Sequence, residues 1–150
     1  TSMAEPFTRE AEKLGFRTLT SFIGLKIPFW YNAVLGREAI IKAKRPVLLR
    51  FTRAMMEAVH FIKTQKEATK AIFSKKMRIG DNESLERAYQ DFAPMFPENL
   101  LVTPDGVKTL LDDLAPKNPK LAGADPKSFL DPSLVQEVEA SGFVKQLYQR

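Results

Sequence analysis

The sequence predicts a helix-rich α/β protein, with two strands near the amino end followed by five or six helices. Two patterns lead to this class. Residues 16–22 alternate apolar and polar side chains, which is typical of a half-buried strand. From Leu48 to Ile62, apolar residues recur at spacings of three and four, which indicates an amphipathic helix. Hydrophobic residues make up 44% of the chain, enough for a folded core, so we expect a single domain over residues 1–150.

The two predicted strands cover residues 16–22 and 29–35, and Gly24 and Pro28 break the chain between them. Gly36 follows the second strand, and a short helix is predicted over residues 37–44. Two isolated strands are only marginally stable in water. We therefore expect the rest of the sheet to come from outside this sequence.

Proline and capping signals divide the middle of the chain into two helices. Pro46 suits the first turn of a helix, where its missing N–H is not needed. Thr64 and Glu67 have the spacing of a capping box, so this helix and the next are predicted to meet near Thr64. The inward faces of the two helices are expected to carry Leu48, Phe51, Met55, Val59 and Ile62, and then Ala68, Ala71 and Ile72.

Further start signals predict three more helices. Asp81 or Asn82 caps the first, Thr103 with Pro104 starts the second, and Asp131 with Pro132 starts the third. Gly142 supplies a left-handed residue at the end of the last one. The inward faces are predicted to carry Leu85, Ala88, Tyr89 and Phe92, then Val107, Leu110, Leu111 and Leu114, and finally Leu134, Val135 and Val138.

Composition and charge exclude several kinds of site and of function. The chain has no cysteine, which excludes disulfides, thiolate metal sites and a cysteine nucleophile. The net charge of +5 is spread along the chain, and the cluster of Lys75, Lys76 and Arg78 is interpreted as a solvated helix end. No apolar stretch approaches the ~20 residues that span a bilayer. No signal peptide is visible, and Thr1 and Ser2 before Met3 are typical of a cloning remnant.

No catalytic or metal-binding constellation is evident. His60 is the only histidine, so neither a general base with a visible partner nor a histidine-based zinc site is predicted. His60 is interpreted as a packing or edge residue of its helix. Phosphate loops, nucleophile elbows and dinucleotide fingerprints are missing from the sequence. We therefore expect no enzyme activity, no metal and no cofactor.

The segment Phe29-Trp30-Tyr31-Asn32 is the best candidate for a ligand site. Aromatic rings provide contact area and an amide provides orientation, which is the combination that small-molecule pockets use. The competing interpretation is that these residues belong to the core and to a strand. Sequence alone leaves both interpretations open.

Seven segments carry a resemblance to a known family: Pro6–Thr8, Ala11–Phe16, Ile27–Phe29, Leu49–Ala54, Glu57–Phe61, Thr103–Val107 and Ser141–Val144. In this order and spacing, they resemble the carboxy-terminal portion of the nitrate/sulfonate/taurine and thiamine-precursor group of ABC-transporter solute-binding proteins. The resemblance covers nearly the whole chain. Its strength lies in the order of the segments, since no single one is diagnostic.

The resemblance implies part of one lobe of a type II periplasmic-binding-protein fold. Residues 4–36 would form the crossover and strands, and residues 37–150 the helical part. It implies capture of a small solute near Phe7, Trp30, Tyr31 and Asn32, with delivery to a membrane permease. The parent protein would be periplasmic or extracytoplasmic, without a cofactor or nucleic acid.

Two other functions remain open at this point. One is a small helical interaction domain that binds a protein or nucleic-acid partner through its basic surface. The other is an enzyme of the thiamine-precursor branch, whose histidine-rich chemistry a single His60 does not supply. We also expect the isolated chain to self-associate as a homo-oligomer, because unpaired strands and apolar helix faces need partners.

Overall fold

The protein is all-α in a computed structural model that describes residues 2–5, 7–25, 27–29 and 32–149. It is 67% helical, and none of the described residues lies in a strand. The described helices are α1 (Phe7–Lys13), α2 (Glu38–Ala43), α3 (Arg45–Thr64), α4 (Lys66–Met77), α5 (Asn82–Phe92), α6 (Pro104–Leu114), α7 (Ser133–Ala140) and α8 (Phe143–Tyr148). Short 3₁₀ turns lie at Ile23–Leu25, Ala93–Met95, Ala115–Lys117, Pro119–Leu121 and Pro126–Phe129.

The prediction of an α/β fold with two strands, and with it a partial binding-protein lobe, is wrong for this chain. Residues 16–22 and the described part of 29–35 have no strand structure. Alternating side chains only make one face of a segment apolar, whereas a strand also needs a neighbour for its N–H and C=O groups. No such neighbour lies among the described residues. Nor did the sequence predict α1, which falls in the part expected to be non-helical.

Most helix starts and stops are confirmed. Pro46 lies in the first turn of α3, and Pro104 is the first residue of α6. Asp81 caps α5, because its Oδ1 accepts a hydrogen bond from the Ser84 N–H at 2.8 Å. Gly142 has a φ of 76°, so it provides the left-handed residue expected after α7.

The junction between α3 and α4 is confirmed, but the capping box is not. Gln65 occupies the N-cap of α4 and makes no side-chain capping bond. The Thr64 hydroxyl instead donates to the His60 carbonyl, 2.8 Å away and one turn back in α3. Thr64 is the last residue of α3, so its side chain satisfies a carbonyl of its own helix.

The buried face of α3 is only partly the predicted one. Val59 is buried as predicted. Phe51 and Met55, also predicted to be buried, are exposed, and the next residue along the helix is buried in each case, Thr52 and Met56. One residue of an α-helix corresponds to about 100° of rotation, so these neighbours point in clearly different directions. In α4 the prediction is also wrong, because Thr69 and Lys70 are buried and the predicted Ala68, Ala71 and Ile72 are exposed.

The chain separates into two compact units, each built from two stretches of sequence. Unit 1 comprises Thr1–Lys26 and Glu57–Glu98, and unit 2 comprises Ile27–Met56 and Asn99–Arg150. In unit 1, α4 packs against α5, where Leu85 and Ala88 are buried as predicted. In unit 2, α6 packs against the turn Pro126–Phe129, and α7 contacts α8. Val107 and Val138 are the buried apolar residues of these helices, also as predicted.

Candidate functional site

Two of the four predicted ligand-binding residues lie within the described part of the chain. Phe7 is the first residue of α1, and its side chain is 62% exposed. Asn32 is exposed in an irregular segment before α2. Trp30 and Tyr31 lie outside the described residues. Phe7 belongs to unit 1 and Asn32 to unit 2.

Ion pairs hold the helix that carries Phe7. No residue of α1 is buried, so apolar packing contributes little to its position. Arg87 of α5 donates to Glu12 at 2.8 Å and also pairs with Glu5 at 3.3 Å. Arg9 of α1 pairs with Glu83 of α5. These contacts attach the amino-terminal helix to α5 by its charged side chains.

The contact between Arg87 and Glu12 shifts the pKa of both groups. Hydrogen bonds from Arg87 and then Thr18 hold the pKa of Glu12 below its usual value. The bond to Glu12 raises the pKa of Arg87 in turn. A general base needs a pKa near the working pH, so a carboxylate held by Arg87 is poorly suited to that role. The cluster therefore positions α1 and offers no reactive group.

A second cluster joins α4 to α5 in unit 1. Glu86 of α5 accepts hydrogen bonds from Lys66 and from Lys70 of α4, the latter at 3.2 Å. The bonds from Lys66, then Lys70, lower the pKa of Glu86 to about 2. Lys70 is buried, and its bond to Glu86 raises the pKa of its ammonium group. Sequence reasoning missed this cluster. The only signal was the four-residue spacing of the two lysines on α4.

Unit 2 contains a polar cluster at the start of α7. Arg45, the first residue of α3, donates to Glu137 at 3.0 Å through Nε and to the Ser133 hydroxyl at 3.3 Å. Asp131 accepts from the Ser133 N–H at 3.0 Å, and this contact with Ser133 lowers the pKa of Asp131. Arg53 lies 5.5 Å from the centre of the Phe143 ring. All these groups have partners within unit 2, which indicates a structural role.

Histidine, cysteine and carboxylate side chains are not grouped for metal binding. In residues 2–5, 7–25, 27–29 and 32–149, no three of them are placed to hold an ion together. His60 is half-buried on α3 and makes interactions of its own. None of the described helices combines the length and the apolar character needed to cross a membrane.

Comparison with known proteins adds no relative. No family model, no curated protein and no solved structure matches the chain.

Proposed function

We propose that this chain is a non-catalytic, solute-capturing component of an ABC-type uptake system, or part of one. It acts outside the cytoplasm and delivers a small solute to a membrane permease. The ordered resemblance over nearly the whole chain, from Pro6–Thr8 to Ser141–Val144, is the observation that carries this proposal.

The residues that flank Trp30 and Tyr31 support a ligand-binding role for this segment. Phe29 and Asn32 are both exposed, and neither lies in a strand. The competing interpretation placed the segment in the core and in a strand. Exposed flanking residues favour a role in contact with a solute instead.

Residue chemistry indicates the class of solute. After Ile27-Pro28, many proteins of the family that the chain resembles carry small and hydroxyl residues, whereas this chain has Phe29-Trp30-Tyr31-Asn32. Small donors suit a bare oxyanion, while rings and an amide suit a flat organic molecule. We therefore propose a flat organic solute with at least one polar group.

The proposal is tested by titrating the chain with flat heteroaromatic solutes, small sulfonates and nitrate. Trp30 is the only tryptophan, so its fluorescence reports on the proposed site directly. A flat solute is expected to change this signal saturably, and Asn32→Ala to weaken binding about tenfold. Asn32 is exposed, so the substitution should change stability by no more than about 0.5 kcal/mol.

Phe129→Ala is the matched control for this titration, because Phe129 is an exposed aromatic residue of unit 2 that has no place in the proposed site. It is expected to leave binding unchanged. An absence of any fluorescence or melting-temperature response across the panel would overturn the proposal, as would equal loss of binding in the control.

A helical interaction domain is the second candidate, and the all-α fold favours it. Lys75 and Lys76 are exposed in the last turn of α4, beside exposed Ile72 and Met77. A mixed basic and apolar patch suits an acidic protein partner. Salt-sensitive binding of an acidic peptide, lost in the Lys75→Gln/Lys76→Gln double variant, would favour this function over solute capture.

A further inference from the structure

A groove in unit 1 lies between the carboxyl end of α3 and the end of α5. It is lined by Lys63, Tyr89, Gln90, Ala93 and Pro94, and its volume is about 470 Å³. This volume falls in the range of roughly 300–1,000 Å³ that small-molecule sites occupy. Neither Phe7 nor Asn32 lines it. The groove is therefore distinct from the described part of the site proposed above.

Tyr89 is fixed in the wall of the groove. Its hydroxyl donates to the Ile62 carbonyl at 2.8 Å. Because α3 ends at Thr64, Ile62 is among the last residues whose carbonyls lack a partner within the helix. The Lys66 ammonium lies 5.6 Å from the centre of the Tyr89 ring and restrains it further. A ring held at both its hydroxyl and its face presents a rigid surface to a ligand.

Gln90 is oriented by the Glu86 cluster. Its side-chain NH₂ group donates to Glu86 Oε1 at 2.8 Å, and Glu86 is itself held by Lys66 and Lys70. The amide oxygen of Gln90 is left as an acceptor. Buried Ala93 and exposed Pro94 also line the groove and add apolar surface. The groove thus combines a fixed amide with ring and aliphatic surface.

Lys63 supplies the positive charge of the groove, and it differs from Lys66 and Lys70 in its ion pairing. Lys66 and Lys70 are neutralised by Glu86, and Lys70 also pairs with Glu67. Lys63 is half-buried, yet no Asp or Glu of the described residues pairs with it. A half-buried lysine without an acidic partner among the described residues favours an incoming anion.

We propose that this groove binds a small organic monoanion, a carboxylate or sulfonate on a compact apolar body. The anion pairs with the Lys63 ammonium, and the body lies on Tyr89, Ala93 and Pro94. A hydroxyl or N–H of the ligand donates to the Gln90 amide oxygen. Only one cation of the groove lacks a partner among the described residues, so the charge balance favours a monoanion over a dianion or a polyanion.

Benzoate is the probe, followed by two-dimensional ¹H–¹⁵N NMR of the full chain. Saturable shifts are expected at the amides around Lys63, Tyr89 and Gln90, with affinity in the millimolar range. Benzyl alcohol has nearly the same shape without the charge and should produce no saturable shifts there. Lys63→Gln is expected to weaken benzoate binding about fivefold, the scale of one partly exposed ion pair.

Lys145→Gln removes the same charge from an exposed lysine that does not line the groove, and it should leave binding within about twofold because salt screens exposed charges. Lys63→Arg keeps the charge and should retain binding, which separates loss of the charge from a folding defect in Lys63→Gln. Equal weakening by Lys63→Gln and Lys145→Gln would overturn the proposal and indicate diffuse attraction to a basic chain. So would equal binding of benzyl alcohol. Binding in the groove is followed by NMR, and binding near Trp30 is followed by fluorescence. A negative result at one site is therefore distinguished from a negative result at the other.

Discussion

Glu86 illustrates how one side chain can organise two helices. It accepts hydrogen bonds from Lys66, Lys70 and Gln90, so its ionised form has donors from both α4 and α5. Protonation would remove the negative charge that these lysines share, and Lys70 is buried. The packing of α4 on α5 is therefore linked to the ionisation of a single carboxyl group.

The low pKa of Glu86 predicts a pH-dependent contribution to stability. Its pKa falls from 4.5 in the unfolded chain to about 2 in the folded one. A carboxyl group whose pKa is lower in the folded chain stabilises the fold at pH values above the unfolded pKa. This contribution is lost as the pH falls from 4.5 to about 2. Glu86→Gln should therefore lower the melting temperature clearly at pH 7, and the gap to the native chain should narrow steadily below pH 4.5.

Glu98→Gln serves as the control for this series. Glu98 is exposed in unit 1 and pairs with none of the described residues, so its substitution should have little effect at any pH. A Glu86→Gln deficit that stays constant down to pH 2.5 would show that the carboxyl acts by shape and not by charge.

At the scale of elements, two adjacent methionines of α3 differ in burial. Met56 is fully buried, whereas Met55 is 36% exposed. Met56→Ala should therefore lower the free energy of unfolding by about 2–5 kcal/mol, the usual cost of emptying a core site. Met55→Ala removes the same atoms from a partly wet site and should cost less than about 1 kcal/mol.

Urea unfolding followed by circular dichroism measures both variants under the same conditions. The pair has identical chemistry, so the ratio of their effects reports the orientation of α3 alone. A larger loss for Met55→Ala would restore the face predicted from sequence and contradict the one described here.

Helix boundaries were predictable from local chemistry, whereas the buried faces were predictable only in part and the predicted strands were wrong. Pro46 and Pro104 act through their own backbone, and the Asp81 side chain reaches an amide only three residues away, so these local signals locate α3, α5 and α6. The apolar stripe of α3 is broad, and its centre depends on neighbours that sequence does not reveal. A strand over residues 16–22 depends entirely on a partner strand, which the described residues do not supply.

The candidate site shows the same division. Asn32 was recognisable from the aromatic and amide residues of its segment, and Phe7 was named from the family resemblance, so the exposure of both could then be compared with the structure. The groove beside Tyr89 was not foreseen. It depends on the hydroxyl reaching a carbonyl 27 residues earlier, at the end of another helix. Such contacts join distant stretches of chain, and no local pattern encodes them.

For the whole molecule, exposed apolar surface outweighs the core. Among the described residues, 8 apolar side chains are buried, while 22 large ones are exposed. Leu19 and Leu35 are 92% and 88% exposed. Single exposed apolar residues are ordinary, but a large number of them favours association with other molecules.

We predict that the purified chain self-associates through these exposed apolar side chains. Light scattering should give a mass above 17.0 kDa that rises with protein concentration. Added salt should increase association, because it screens the repulsion between chains of net charge +5. Leu19→Ser with Leu35→Ser should shift the mass toward the monomer without loss of stability, since both side chains are solvent-exposed.

Thr20→Ser is the control, as a conservative change within the same exposed segment. It should leave the mass unchanged. A monomer mass at every concentration, together with a cooperative melt, would show that the exposed apolar surface recruits no second copy.

The interleaving of the two units imposes an order on synthesis at the ribosome. Residues 27–56 leave the ribosome early, but the rest of unit 2 begins only at Asn99, after the 42 residues of 57–98. At roughly 5–20 residues per second, that delay is about 2–8 s. During this time Met56, which is fully buried in the folded chain, lacks the later part of unit 2, and neither unit can be completed from one uninterrupted stretch of nascent chain.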